Sequence, residues 1–226
     1  MQKEIKITVP TDWKDITLQS YQRYIELGDT ATLESTLEAF TGLTIKDLRI
    51  LEKDSVEELL QAYVDLLNSP TDNLDVITKV TIQGNKLGFI PNLDNLSYGE
   101  YLDIIEYMKD WKSMHLAMEV LYRDIIEERV SKRGIKQYSI SKYGEKELTG
   151  EIGLQLPMDV VFGALVFFYN LTKELLNHFP NYMERLLENQ TEDLPKDLVR
   201  NGEATKQYIP LLMETLEDLK KLLHYR

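Results

Sequence analysis

Carboxylates are the commonest side chains in this sequence that can do chemistry. The chain holds 38 Asp and Glu against three His and no Cys. A pair of carboxylates at the right separation can act as general acid and base. Three pairs lie one helical turn apart: Glu34 and Glu38, Asp54 and Glu58, and Glu214 and Asp218. Such i,i+4 like-charge pairs cost a helix a little stability and are tolerated where water screens them. We therefore predict solvated helix faces and no acid–base pair.

One further pair has the spacing of metal ligands. His115 and Glu119 lie one helical turn apart, but a zinc site needs at least three protein ligands. The sequence has neither His-x-x-x-His nor His-Glu-x-x-His. We interpret His115, which is close to Trp111 and Met114, as a helix-face residue, and we predict no metal site.

The glycine motifs of catalysis and phosphate binding are missing as well. The sequence contains no Gly-x-x-x-x-Gly-Lys, no Gly-x-Gly-x-x-Gly and no Gly-x-Ser-x-Gly. We therefore expect a protein that is not an enzyme and that needs no cofactor.

Composition and charge exclude further classes. With 226 residues, 43% of them hydrophobic, the chain can bury a core and is not disordered. Its net charge of −12 disfavours a whole surface built for nucleic acid. The longest apolar stretch, residues 160–169, is about half of the roughly 20 residues that span a bilayer. The charged start lacks the pattern of a signal peptide, so we expect a protein made in a cytoplasm, without a membrane anchor.

The elements that position these residues are predicted to be mainly α-helical. Residues 1–16 form an extended arm, because polar and apolar residues alternate up to Pro10. Residues 17–226 form a single mainly helical domain. Its one β element is a hairpin over about 76–90, with Gln83, Gly84 and Asn85 as a three-residue loop.

Local signals place the helix ends. Thr17 is predicted as an N-cap, Asp29 as a helix start and Gly42 as a helix stop. Three capping boxes are predicted: Thr44 with Asp47, Ser55 with Glu58, and Ser97 with Glu100. One further helix is expected to end at Tyr122. Others are expected from Pro157 to near His178, from Pro180 through Leu187, and over about 203–223.

One segment departs from the overall acidity. Residues 129–153 are predicted as a loop with a weak strand at 138–140, and its first part holds six cations against Glu145, a charge near +5. The six cations are Arg129, Lys132, Arg133, Lys136, Lys142 and Lys146. This basic loop is either a solvated surface loop or a docking loop for an acidic partner, including another copy of the chain. Tyr138 and Tyr143 lie among these cations, as aromatic residues that contact nucleic acid often do. The acidity of the whole chain argues against nucleic-acid binding.

Four segments together resemble a known group of proteins. They are residues 7–18 (ITVPTDWKDITL), 88–101 (GFIPNLDNLSYGEY), 117–123 (AMEVLYR) and 156–168 (LPMDVVFGALVFF). In this order they resemble small virion or assembly proteins of tailed bacteriophages, especially the crAss-like phages of gut Bacteroidetes.

The resemblance implies a ring or connector subunit of the neck or tail that assembles with copies of itself and with portal or tail components. Its contacts are then the basic loop and the arm, with Ile5, Ile7, Val9 and Trp13 as arm residues. DNA would pass such a ring as cargo without specific binding, and acidic helices would repel its phosphates. The alternative is a tail-assembly chaperone or adaptor that binds its partner through an apolar groove and is absent from the virion. A small enzyme or a DNA-binding protein is the third possibility.

Overall fold

The computed structural model describes residues 7–71, 73–130, 134, 136–188 and 213–224. It contains nine α-helices and a four-stranded antiparallel sheet within these ranges, with 58% of the residues helical and 14% in strands. The predicted mainly α class with only a hairpin is therefore wrong. The fold is mixed α/β, because the chain forms two further strands where we predicted the end of a helix and a loop.

Four helices follow one another at the start of the chain: α1 (Leu18–Leu27), α2 (Leu33–Thr41), α3 (Ile45–Leu48) and α4 (Lys53–Leu67). Thr17 caps α1, the capping box of Thr44 opens α3, and Gly42 ends α2 with a φ of 68°, so these predictions are confirmed. Two starts were wrong. Thr32 caps α2 in place of the predicted start at Asp29, and α4 begins at Lys53, two residues before Ser55.

The sheet has the simple order β1-β2-β3-β4. Its strands are β1 (Lys79–Ile82), β2 (Asn85–Phe89), β3 (Tyr122–Val130) and β4 (Lys136–Ile140). Ile82 pairs with Asn85, so the loop between β1 and β2 has two residues, one fewer than predicted. Gln83 and Gly84 both have positive φ, at 50° and 86°. This is the pattern of a type I′ turn, whose twist matches that of the flanking strands.

Strand β3 is the main element that the sequence did not reveal. Tyr122, predicted as the end of a helix, begins this strand, and β4 occupies part of the predicted loop 129–153. The pairing of β3 with β4 shifts between Ile125 and Glu127, which is a β-bulge. The bulge breaks the alternation of apolar and polar residues by which a strand is recognised in a sequence.

The remaining helices are α5 (Tyr98–Tyr107), α6 (Met114–Leu121), α7 (Glu151–Leu154), α8 (Met158–Glu188) and α9 (residues 213–223). The capping box of Ser97 and Glu100 opens α5, as predicted. Helix α8 runs through Pro180 without a break, so the predicted end near His178 and the separate helix through Leu187 are wrong. The predicted start of the last helix lies outside the described residues.

Helix α8 crosses the centre of the core. Val161, Phe162 and Leu165 are at most 1% exposed. The ring of Phe162 packs edge-on against Trp13 at 4.9 Å and against Tyr21 at 5.6 Å between ring centroids. None of the helices within the described ranges combines the length and the apolar character needed to cross a bilayer.

Candidate protein-binding surfaces

The distal part of β3 projects from the body of the protein. From Ile126 to Val130 every residue is exposed, and these two apolar side chains are 66% and 68% exposed. Strand β4 pairs with this part of β3 and forms one edge of the sheet. We call β3 and β4 together the β3–β4 ribbon.

The structure distributes the six predicted basic residues unevenly. Arg129 lies in β3 and its Nε donates to Glu127 at 2.6 Å, while Lys146 forms an ion pair with Asp124. Lys142 is exposed in the segment after β4, and Lys136 lies within β4. The structure does not describe the side chains of Lys132, Arg133 and Lys136.

The acids of β3 change the electrostatics of this surface. Residues 122–146 hold seven cations against four carboxylates, a net charge of +3. The charge near +5 predicted for the loop came from counting only from residue 129. That count omits the acids of β3, the strand that pairs with β4, so the surface as a whole carries charges of both signs. The hydrogen bond from Arg129 lowers the pKa of Glu127, and the hydrogen bond to Asp124 raises the pKa of Lys146.

Tyr138 fastens the ribbon to the rest of the sheet. Its hydroxyl lies 2.7 Å from the backbone oxygen of Phe89. Its ring crosses Gly88 and is covered by the Lys79 ammonium, which lies 4.9 Å from the ring centroid and pairs with Glu128. The ribbon therefore leaves the body with a fixed direction.

A buried ion pair joins β3 to α5. Arg123 donates to Glu100 at 2.6 Å, and the side chains are 13% and 7% exposed. Burial raises the pKa of Glu100, but hydrogen bonds from Ser97 and the charge of Arg123 lower it more, so the pKa stays below its ordinary value. The carboxylate thus caps α5 and anchors the strand at once.

The segment after β4 has its own anchor on α5. The Tyr143 hydroxyl donates to Asp103, and this hydrogen bond raises the pKa of Tyr143 to about 12. Together with the Arg123 contact, it holds the base of the ribbon against the helix.

The pair that resembled metal ligands has a structural role. The Glu119 carboxylate accepts hydrogen bonds from the backbone of Gly150, Ile152 and Gly153 at 2.9–3.2 Å. His115 faces Gln22, with 3.2 Å between Nδ1 and Nε2. In the described part of the chain, no three His, Asp or Glu side chains are grouped so that they could hold a metal ion.

The second candidate surface is an apolar groove between α5, α8 and α9. It contains a cavity of about 230 Å³. Its apolar lining includes Tyr101 and Ile105 of α5, Leu171 and Leu175 of α8, and Leu219 of α9. No sequence pattern reveals this groove, because three helices distant in sequence must pack before it exists. The nearest signal was the apolar spacing of Tyr101, Ile105 and Met108.

The residues predicted for the arm are partly in the core. Trp13 is 4% exposed, which corrects its assignment to an arm that reaches a neighbour. Ile7 and Val9 are half-buried and pack against the same core. Ile5 lies outside the described residues.

Comparison with protein-family models, with curated proteins and with solved structures finds no match to this chain. The two surfaces are therefore interpreted from their own chemistry.

Proposed function

We propose that this chain is a non-enzymatic structural component of a tailed-phage virion, a ring or connector subunit of the neck or tail. It assembles with copies of itself and with neighbouring virion proteins, and DNA is only cargo that passes through. The resemblance of the four segments supports this proposal from the sequence. From the structure, the observation that carries it is the exposure of Ile126 and Val130 on the β3–β4 ribbon.

The exposed ribbon suits contact with another protein. The distal part of the ribbon, where residues 126–130 are all exposed, buries little apolar surface of its own. Burying two branched apolar side chains against a partner gains about 25 cal/mol for each Å² removed from water. The outer edge of β4 also presents backbone groups that a partner strand can pair with.

Charge gives a ring subunit two different patches. Residues 122–146, which include the ribbon and the segments that join and follow its strands, carry +3, so the other residues of the −12 chain carry −15. Head-to-tail contacts around a ring need two complementary patches on each subunit. The cations of residues 122–146 against an acidic body of the next copy meet this need.

Native mass spectrometry of the full chain tests the role of the ribbon. We expect multimers for the natural sequence and monomers for Ile126→Asp/Val130→Asp, with circular dichroism showing the same fold. Leu33→Asp is the matched control, because Leu33 is 67% exposed on α2. Equal masses for all three proteins would contradict the proposal. Deleting the predicted loop is a poorer test, since β4 would be lost with it.

The alternative function is a tail-assembly chaperone or adaptor that is not retained in the virion. The apolar groove favours it, because an apolar groove can hold an amphipathic segment of a partner. The two functions differ in whether the protein is present in purified particles.

A further inference from the structure

The apolar groove continues onto the solvent-exposed side of α5. Tyr98 and Leu102 are 77% and 44% exposed, and with Ile105 they follow the i, i+4, i+7 spacing of one helix face. Ile105 also lines the cavity, and Leu175 forms the opposite bank at 48% exposure. From Tyr98 to Met108 the apolar surface follows α5 for about 15 Å, the length of a ten-residue helix.

The dimensions favour side chains over a small molecule. A cavity of about 230 Å³ exceeds the ~150 Å³ that admits benzene, so it holds one or two apolar side chains. It is smaller than the roughly 300–1,000 Å³ of pockets for drug-sized ligands. The exposed stripe beside the cavity also extends further than a ligand of the cavity's size can cover.

The rim of the groove is acidic. Glu214 and Asp218 of α9 line it one helical turn apart, opposite Lys109 after α5. Lys109 is already paired with Glu106 at 2.8 Å. The hydrogen bond from this pair, with smaller contributions from Glu214 and Asp218, raises the pKa of Lys109. Asp218 is likewise paired with Lys221 at 3.0 Å, so the three acids and two cations of this edge leave one net negative charge, at Glu214.

We propose that the apolar groove binds a short amphipathic helix of another protein, with its apolar face in the groove and Lys or Arg against Glu214. Apolar side chains at i, i+3 or i+4, and i+7 enter the cavity and cover the stripe on α5, as in other helix-in-groove complexes. Basic residues on one flank fix the direction of the helix, since the acids line one side. The binding site is separate from the β3–β4 ribbon and serves a virion subunit as well as an adaptor.

The test is selection from a displayed library of random helical peptides of about 14 residues, four turns long, on the immobilised full chain. We expect enriched sequences with apolar residues at helical spacing and Lys or Arg on one flank. Selected peptides should bind Leu175→Asp roughly tenfold more weakly, with Leu33→Asp as the matched control.

The acidic rim is tested separately with Glu214→Lys against Glu26→Lys, an equal charge change on the exposed part of α1. Only Glu214→Lys should weaken binding of the basic peptides, and added salt should weaken binding to the natural sequence. Several results would overturn the proposal: no enrichment, enrichment of acidic or extended sequences, or equal binding to Leu175→Asp and the natural chain. So would a groove that NMR finds already filled by the same chain or by a second copy. None of these results bears on whether the protein is present in virions.

Discussion

The ring of Tyr138 lies so close over Gly88 that a Cβ at residue 88 would be 2.5 Å from Cε2 of the ring. Any side chain at residue 88 would therefore force the Tyr138 ring or the backbone to move. Gly88 thus provides the space in which the outermost strand reaches back over the sheet and bonds to Phe89. This contact fixes how the β3–β4 ribbon leaves the body.

Gly88→Ala should destabilise the protein by about 1–3 kcal/mol, the usual cost of overpacking. Urea denaturation measures the loss. Gly88→Ala/Tyr138→Ala should lose less than the sum of the two single substitutions, because removing the ring relieves the clash. Additive losses would show that the two residues do not interact.

Arg123→Met should cost about 3 kcal/mol of unfolding free energy, since it leaves the Glu100 carboxylate buried without its counter-charge. Arg129→Met is the matched control. Arg129 is 71% exposed beside Glu127, and loss of this solvent-screened pair should change stability far less than loss of the buried pair. Equal effects would contradict the buried anchor.

The Glu100 carboxylate should also make stability depend on pH. Its pKa in the folded protein lies below the ordinary 4.5, so its ionised form stabilises the fold above that pH. This stabilisation is lost as the pH falls through the lowered pKa. The stability difference between the natural sequence and Glu100→Gln should therefore be constant near pH 7 and shrink below 4.5. A difference that does not change with pH would contradict the ion pair.

Tyr143 should ionise only near its raised pKa of about 12, because its hydroxyl donates a hydrogen bond to Asp103. Asp103→Asn should move this pKa back toward 10.0. Carbon-13 NMR of labelled tyrosines measures the titration, and Tyr143→Phe identifies the signal. A pKa raised above that of the unfolded chain stabilises the fold below pH 10, and this contribution is lost as pH rises toward 12. An unchanged pKa in Asp103→Asn would contradict the contact.

Glu119→Ala should destabilise the protein by about 2 kcal/mol, because three backbone N–H groups lose a charged acceptor. Chemical denaturation measures the change. Glu147→Ala is the control, since Glu147 is an exposed carboxylate of the segment just before α7. A loss no larger than that of the control would show that Glu119 does not hold α7.

Local signals placed four helix ends correctly, although those for the starts of α2 and α4 were wrong. The caps at Thr17, Gly42, Thr44 and Ser97 follow from backbone groups within a few residues, and the structure has all four. A hairpin was also expected at Gly84, although its loop is one residue shorter.

The prediction also failed where local patterns are absent or misleading. Ile125 and Ile126 are adjacent in the sequence, so the strand that contains them lacks the expected alternation. The β-bulge between Ile125 and Glu127 accommodates them in the strand. Pro180 remains inside α8 against its local preference. The apolar groove depends on Leu219 of α9 meeting α5 and α8, which no local pattern encodes.

The most direct test of the proposed virion role is quantitative mass spectrometry of tailed-phage particles purified from cultures that express this chain. A ring or connector subunit should be present in several copies per particle, in a constant ratio to the other virion proteins across preparations. Absence from purified particles, with the protein abundant in lysates of infected cells, would contradict the virion role and favour the assembly chaperone or adaptor.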